Sequence, residues 1–440
     1  MQTKTPSSTL IGFHYYPDSA HYTNKDLNAA LDHLQKLHAG WLVLRSEASR
    51  AIPETFISGL LNKGITPIIH FPLTLPNSPS NSDIKAILNA YASWGAKYVI
   101  LFDRPNDRAS WSASGWSQIN LVESFLDRFV SLANECVNQG LTPVFPALTP
   151  GGSYWDLSFF SLALQAMQRR GQKTLLSKMA LAAYACTYDH PLDWGNGGAA
   201  SWPHNKPYLT AADSQDQIGF NQYQWLEGIA TKLLGSPLPL ILLGMGRKEL
   251  STHTAYSGEA LDNLVRQIKV FLTSSAPAAN SNFPVISGNF WLLNTASTDE
   301  NASAAWVKED GTTSSAFILL AGSENSTPSQ TDQDKVIPAK QSPRFQKISG
   351  THPIQHYLLL PKYEWGIADW HLEAIKPFIL KHQPTVGFSL DEAILAQKVT
   401  VVGGEQSFSE NSLTHLREAG CEVDRISGDG TSIATQLAER

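Results

Sequence analysis

Across the first 294 residues, short continuous apolar runs alternate with longer stretches whose apolar residues recur every three or four positions. The runs are TLIGFHYYP (9–17), WLVLRSE (41–47), ITPIIHFP (65–72), YVILFDRP (98–105), LTPVFPAL (141–148), MALAAYACTY (179–188), LPLILLGMG (238–246) and FPVISGNFWLLN (283–294). A run that is apolar at consecutive positions is a strand buried on both faces. Between the first two runs, Leu27, Ala30, Leu31, Leu34 and Leu37 share one helical face, with Thr23 or Asn24 placed as the cap. Leu121, Phe125, Phe129 and Leu132 repeat the pattern before the fifth run. Eight strand–helix units over about 285 residues fit a (β/α)8 TIM barrel with insertions. A doubly wound open sheet is the competing α/β arrangement. The eight units, and the lack of a glycine-rich phosphate turn after the first strand, favour the barrel.

The pattern breaks at GSENSTPSQTDQDKVIPAKQSPRFQKISG (322–350), which is polar, proline-bearing and without period. It reads as a linker. Beyond it the alternation resumes on a smaller scale. HYLLLP, TVGFS, KVTVVGG and CEVDRIS read as strands; ADWHLEAIKPFILKH, SENSLTHLREAG and TSIATQLAER read as helices. The expected organisation is a barrel over 8–321, a linker over 322–350 and a small α/β C-terminal module over 351–440.

Composition narrows the function classes. The chain has 440 residues, 42% hydrophobic and only 16% charged, with a net charge of -6. The acidic balance and the lack of a basic run argue against a nucleic-acid partner. Three scattered cysteines, Cys136, Cys186 and Cys421, are too few for a disulfide framework and read as buried free thiols. No run reaches the ~18 apolar residues of a transmembrane segment, and MQTKTPSSTL shows no apolar signal-peptide core.

In a barrel the chemistry lies at the C-terminal strand ends, so the last polar residues of each run are the candidates. These are His14, Arg45 with Glu47, His70, Asp103 with Arg104 and Asn106, and Tyr184 with Asp189. Gly244 ends the seventh run; Asn289 and Trp291 lie in the eighth. The loops after the fifth and sixth runs add Tyr154, Trp155, Trp194, Trp202 and Tyr208, flat rings that suit sugar faces, partner surfaces or packing of a long loop. His14, His70, His190 and His204 lack the short spacing of a zinc site, so no metal and no cofactor is expected.

Residues 8–320 resemble the (β/α)8 retaining glycoside hydrolases of the cellulase and β-galactosidase superfamily. Arg45 and His70 match residues that shape the sugar subsite there, and Trp291 matches an aromatic platform on the eighth strand. FDRPN falls where those enzymes carry an Asn-Glu-Pro motif, and PLILLGMG where a strand ends in a second glutamate. Aligned on Pro105, Asp103 takes the asparagine position and Arg104 that of the acid/base glutamate. Aligned on Gly246, Gly244 stands where the nucleophile belongs. Retaining hydrolysis needs two carboxyl groups about 5–5.5 Å apart, and a guanidinium stays protonated to a pH above ~12. The resemblance therefore implies the scaffold with both catalytic glutamates replaced. The C-terminal segment resembles a single copy of the bacterial cell-wall-binding repeat type 2, through VTVVGG, the helix after it and DRISG.

Three readings follow. The first is a pseudoenzyme-like barrel that binds a glycan or cell-wall polymer through His14, Arg45, Glu47, His70, Arg104, Asn106, Tyr184, Trp194 and Trp291. The second is a hydrolase that uses displaced carboxylates, with Asp103 and Asp189 as an inverting pair. Against this, Asp103 or Asp107 would simply pair with Arg104 or Arg108. The third is an assembly protein with the barrel as scaffold. An extracellular or cell-surface setting is the expected location.

Overall fold

The computed structural model describes residues 9–76, 81–117, 120–211, 213–250, 256, 258–274, 284–322, 352, 354–361, 369–382 and 384–440. The linker expected over 322–350 lies outside them apart from Gly322.

Eight parallel strands close into a barrel in sequence order: β1 (Ile11–His14), β2 (Trp41–Arg45), β3 (Thr66–Phe71), β4 (Tyr98–Leu101), β5 (Thr142–Phe145), β6 (Ala180–Tyr184), β7 (Leu240–Met245) and β8 (Val285–Phe290). Closure is made by β1 on β8, with Gly12 opposite Asn289. Each of the eight apolar runs supplies one strand, so the fold is the (β/α)8 barrel that the pattern predicts. The first connecting helix, Asn24–Lys36, starts on a capping box in which Thr23 and Asp26 satisfy each other's backbone N–H groups.

The pleat divides the apolar side chains between two cores. Phe13, Leu42, Leu44, Ile69, Val99, Leu101 and Phe145 face outward and pack with helix residues such as Leu34, Phe56, Phe125 and Phe129. Trp41, Val43, Ile68, Ile100, Val144, Ala180, Ala182, Ile241 and Leu243 fill the barrel interior. At the crowded interior level of β1 only glycine fits, because a Cβ on Gly12 would lie 2.3 Å from Asn289 Oδ1.

The chain divides into two compact units, one of residues 1–203 and 215–322, the other of 204–214 and 323–440. The second unit has a four-stranded parallel sheet in the order β10–β9–β11–β12, formed by β9 (Ile354–Leu359), β10 (Thr385–Gly387), β11 (Ala396–Val402) and β12 (Glu422–Ile426). Residues 204–214 were expected in the barrel. They group instead with this unit: Lys206 Nζ donates to Glu392 Oε1 at 2.9 Å, and Tyr208 and Leu209 pack on its core. All three cysteines are buried free thiols. No helix among the described residues is long and apolar enough to cross a membrane.

Candidate ligand-binding site

Following the inward-facing positions up β1, β2, β3 and β6 leads to polar side chains at the last step. On β2 the series Trp41, Val43 ends in Arg45; on β3 Ile68 is followed by His70; on β6 Ala180, Ala182 lead to Tyr184. On β1 the inward position after Gly12 is His14. The barrel core is therefore crowned by a polar layer at the C-terminal mouth.

The tip of β4 adds Asp103 and Arg104 to this layer through an irregular turn. Phe102 and Arg104 both take left-handed backbone conformations, with φ of 69° and 46°, a state that costs an L-residue roughly 1 kcal/mol or more. Tertiary bonds hold it. Phe102 N–H donates to Phe71 O at 2.8 Å, Arg104 N–H to Ala147 O at 3.1 Å, and Trp111 Nε1–H to Pro105 O at 2.8 Å. The turn sends the Phe102 ring outward against Phe125 and leaves Asp103 facing the mouth.

Asp103 is fully engaged there. Its Oδ1 accepts from Tyr184 Oη at 2.6 Å and its Oδ2 from Arg104 Nε at 3.1 Å. The two side chains of the ion pair are only 19% and 33% exposed. Burial pushes the Asp103 carboxyl up, but the charge of Arg104, the neighbouring His70 and the two hydrogen bonds outweigh it and hold the group below the ordinary carboxylate range. Tyr184 is pushed well above the ordinary phenol range by burial and by the Asp103 charge.

The two histidines are neutral bases. His70 Nε2 donates to Phe102 O at 3.1 Å. His14 Nε2 accepts from Gly244 N–H at 3.2 Å, which puts that ring's proton on Nδ1. Burial, His70 and Arg247 lower His14 to about 3 against a weaker opposing pull from Asp103. Burial is also the main cause of the lowered His70. The His14 ring sits edge-on to Trp291 at 4.9 Å, and the Arg247 guanidinium lies 4.5 Å from the centre of the Trp291 ring.

At the end of β7, Gly244 has φ of 69° and its missing Cβ would meet Cys186 Sγ and Tyr184 Cδ1 at 3.4 Å. A glutamate here would have ordinary contacts at its first carbon but would carry a strained left-handed backbone.

The other candidates separate from this cluster. Asn106 is wholly buried and uses its amide on the loop after β5, donating to Thr149 O and Tyr154 O and accepting from Thr149 N–H, all at 2.9 Å. It staples two loops and presents nothing to a ligand. Asp189 is 60% exposed and takes a 2.6 Å ion pair from Lys248. Glu47 is exposed, accepts from Ser19 Oγ at 2.6 Å, and lines a cavity of about 220 Å³ together with Arg45 and Arg50. Trp194 stacks on His190 at 4.0 Å and donates to Asp216 Oδ1 at 2.9 Å, within the loop after β6. Two mouth residues went unread in the sequence, Arg247 and Tyr188. Arg247 stands directly after the GMG turn that ends β7, where a charged residue past a glycine pair was the available signal. The Tyr188 hydroxyl is buried without a partner among the described residues.

The chain matches no protein-family model and no curated protein sequence. Solved structures similar to it include a family 39 glycoside hydrolase from Bacteroides cellulosilyticus WH2, at 12% identity and a TM-score of 0.44, covering 72% of this chain and 63% of that one. A monomeric β-xylosidase from Caulobacter crescentus CB15 gives 10% identity and 0.44 over 72% and 68%. A fructose-bisphosphate aldolase from Plasmodium falciparum gives 11% identity and 0.33 over 65% and 83%. The chain thus spans 63% of the length of the first of these. Likeness at this level includes two chemistries and says nothing of which residues act here.

Proposed function

We propose that the barrel mouth binds a glycan and does not hydrolyse it by the paired-carboxylate route. The observation that carries this reading is the state of Asp103: both of its oxygens are committed, to Arg104 and Tyr184, and its charge is matched by the guanidinium beside it. A carboxylate so held is a poor base and is not available as an acid. Arg104 cannot supply a proton near neutrality, and Gly244 has no side chain and a left-handed backbone that a carboxylate residue would hold only under strain. Half-buried Trp291, with Arg247 over its ring and His14 in a T-shaped contact, brings an aromatic ring and polar groups together, the combination that sugar rings prefer. The proposed setting is the cell surface, with the C-terminal unit in an accessory wall-binding role suggested by its sequence resemblance.

The test is a polysaccharide panel in affinity electrophoresis, with reducing ends counted in parallel. Retention by at least one polysaccharide, loss of it in Trp291→Ala, and no new reducing ends are the expected results. Turnover that disappears in Asp103→Asn or Asp189→Asn would replace binding with hydrolysis by displaced carboxylates.

A further inference from the structure

The polar crown of the barrel is basic although the chain is acidic. Arg45, Arg104 and Arg247 stand against one carboxylate, Asp103, with both histidines neutral. Asp103 is spent on Arg104, which leaves two guanidinium groups without an ion-pair partner among the described residues. Asp189 is held by Lys248, and Glu47, which accepts from Ser19, lines a cavity with Arg45 and Arg50 without an ion pair to either among the described residues. Glu249 follows Lys248 in the same loop, and no ion pair joins it to either arginine among the described residues.

Arg247 is also held in a defined pose. One amino group donates to Leu250 O at 3.1 Å, and the guanidinium lies over the Trp291 ring. An arginine stacked in this way keeps its in-plane N–H groups for a partner, and a carboxylate or sulfate is the partner that a fork of parallel donors fits. Arg45 ends the inward series of β2 directly opposite His70 on β3, whose ring its charge reaches.

Resting on the glycan reading above, we infer that the mouth selects an acidic glycan, with a sugar ring beside the Trp291–Arg247 stack and Arg247 and Arg45 on its anionic oxygens. The shared chemistry is an oxyanion carried by a sugar, either the carboxylate of a uronic acid or a sulfate ester. Three arginines at the strand ends of a chain with net charge -6 are a local feature that nonspecific attraction to the whole surface would not produce.

Matched pairs of probes separate charge from sugar: an oligogalacturonate against its methyl ester, and dextran sulfate against dextran, titrated calorimetrically at neutral pH and low salt. The expected result is that one charged member binds at least about tenfold tighter than its neutral partner, which is ~1.4 kcal/mol. That preference should fall away at about 0.5 M salt. Arg247→Gln and Arg45→Gln should each erase most of it while the melting temperature stays near wild type. Equal binding of charged and neutral partners, or a preference that survives the double variant, overturns the inference. Retention of neutral polysaccharides alone, lost in Trp291→Ala, overturns it and leaves the glycan reading standing. Binding of no glycan of either kind removes both.

Discussion

At the residue scale the arrangement turns on which carboxyl groups are stabilised as ions and which are not. Asp103 is held below its ordinary range, so it stabilises the fold above the unfolded carboxylate value of ~3.9 and loses that contribution as the pH falls through its lower folded value. Asp103→Asn should cost about 1–3 kcal/mol at pH 7 by leaving Arg104 unpaired, measured by urea unfolding, and the difference from wild type should shrink in acid. Asp156 is the opposite case. It is wholly buried, accepts from Gln217 Nε2 and Gln222 Nε2 at 2.8 Å and from Gly151 N–H at 3.1 Å, and burial raises it to about 6. A folded value above the unfolded one means that the ionised form opposes folding, by about 3 kcal/mol at pH 7 for a displacement of this size. That cost is relieved as the pH falls through 6 towards 4. Asp156→Asn, whose neutral amide can pair with re-oriented glutamine amides, should gain stability over wild type at pH 7 and lose the advantage near pH 4.

At the element scale the strands and most helices were legible because each carries its own local pattern. Continuous apolar runs mark strands covered on both faces, and the Thr23–Asp26 capping box marks a helix start. What no local pattern announces is a backbone forced by distant contacts. The left-handed Phe102 and Arg104 at the tip of β4 are held by bonds to Phe71 and Ala147, far away in sequence, and Phe102 is a residue type that rarely adopts this state. For the same reason Asn106 reads in sequence as a ligand contact beside a strand end, whereas three backbone bonds make it a staple between the loops after β4 and β5. Asn106→Ala should cost about 2–4 kcal/mol through the backbone groups it strands. Hydrogen exchange should speed up at the Thr149 amide, whose N–H loses its acceptor, while the glycan affinity of the folded protein stays near wild type. A large loss of affinity with unchanged exchange would instead make Asn106 a ligand contact.

At the scale of the whole molecule, the barrel topology and the small α/β module were both legible, since the count and spacing of strands fix them. The membership of residues 204–214 was not: Lys206, Tyr208 and Leu209 meet residues more than a hundred positions away, and no short window of sequence records that. The candidate site was legible in part. His14, Arg45, His70, Asp103, Arg104, Tyr184 and Trp291 lie where strand-end reasoning puts them, while Arg247 emerges only when the turn after β7 folds it over Trp291. The molecule that results is a (β/α)8 barrel whose mouth gathers arginines, neutral histidines and one ion-paired aspartate at its strand ends. The most direct test titrates an acidic oligosaccharide into wild type and Trp291→Ala, then recovers the oligosaccharide and determines its chain length. Saturable binding to wild type, at least about tenfold weaker in the variant, with the chain recovered intact, is the predicted result. Shortened chains from wild type, or equal binding by both proteins, would contradict the account.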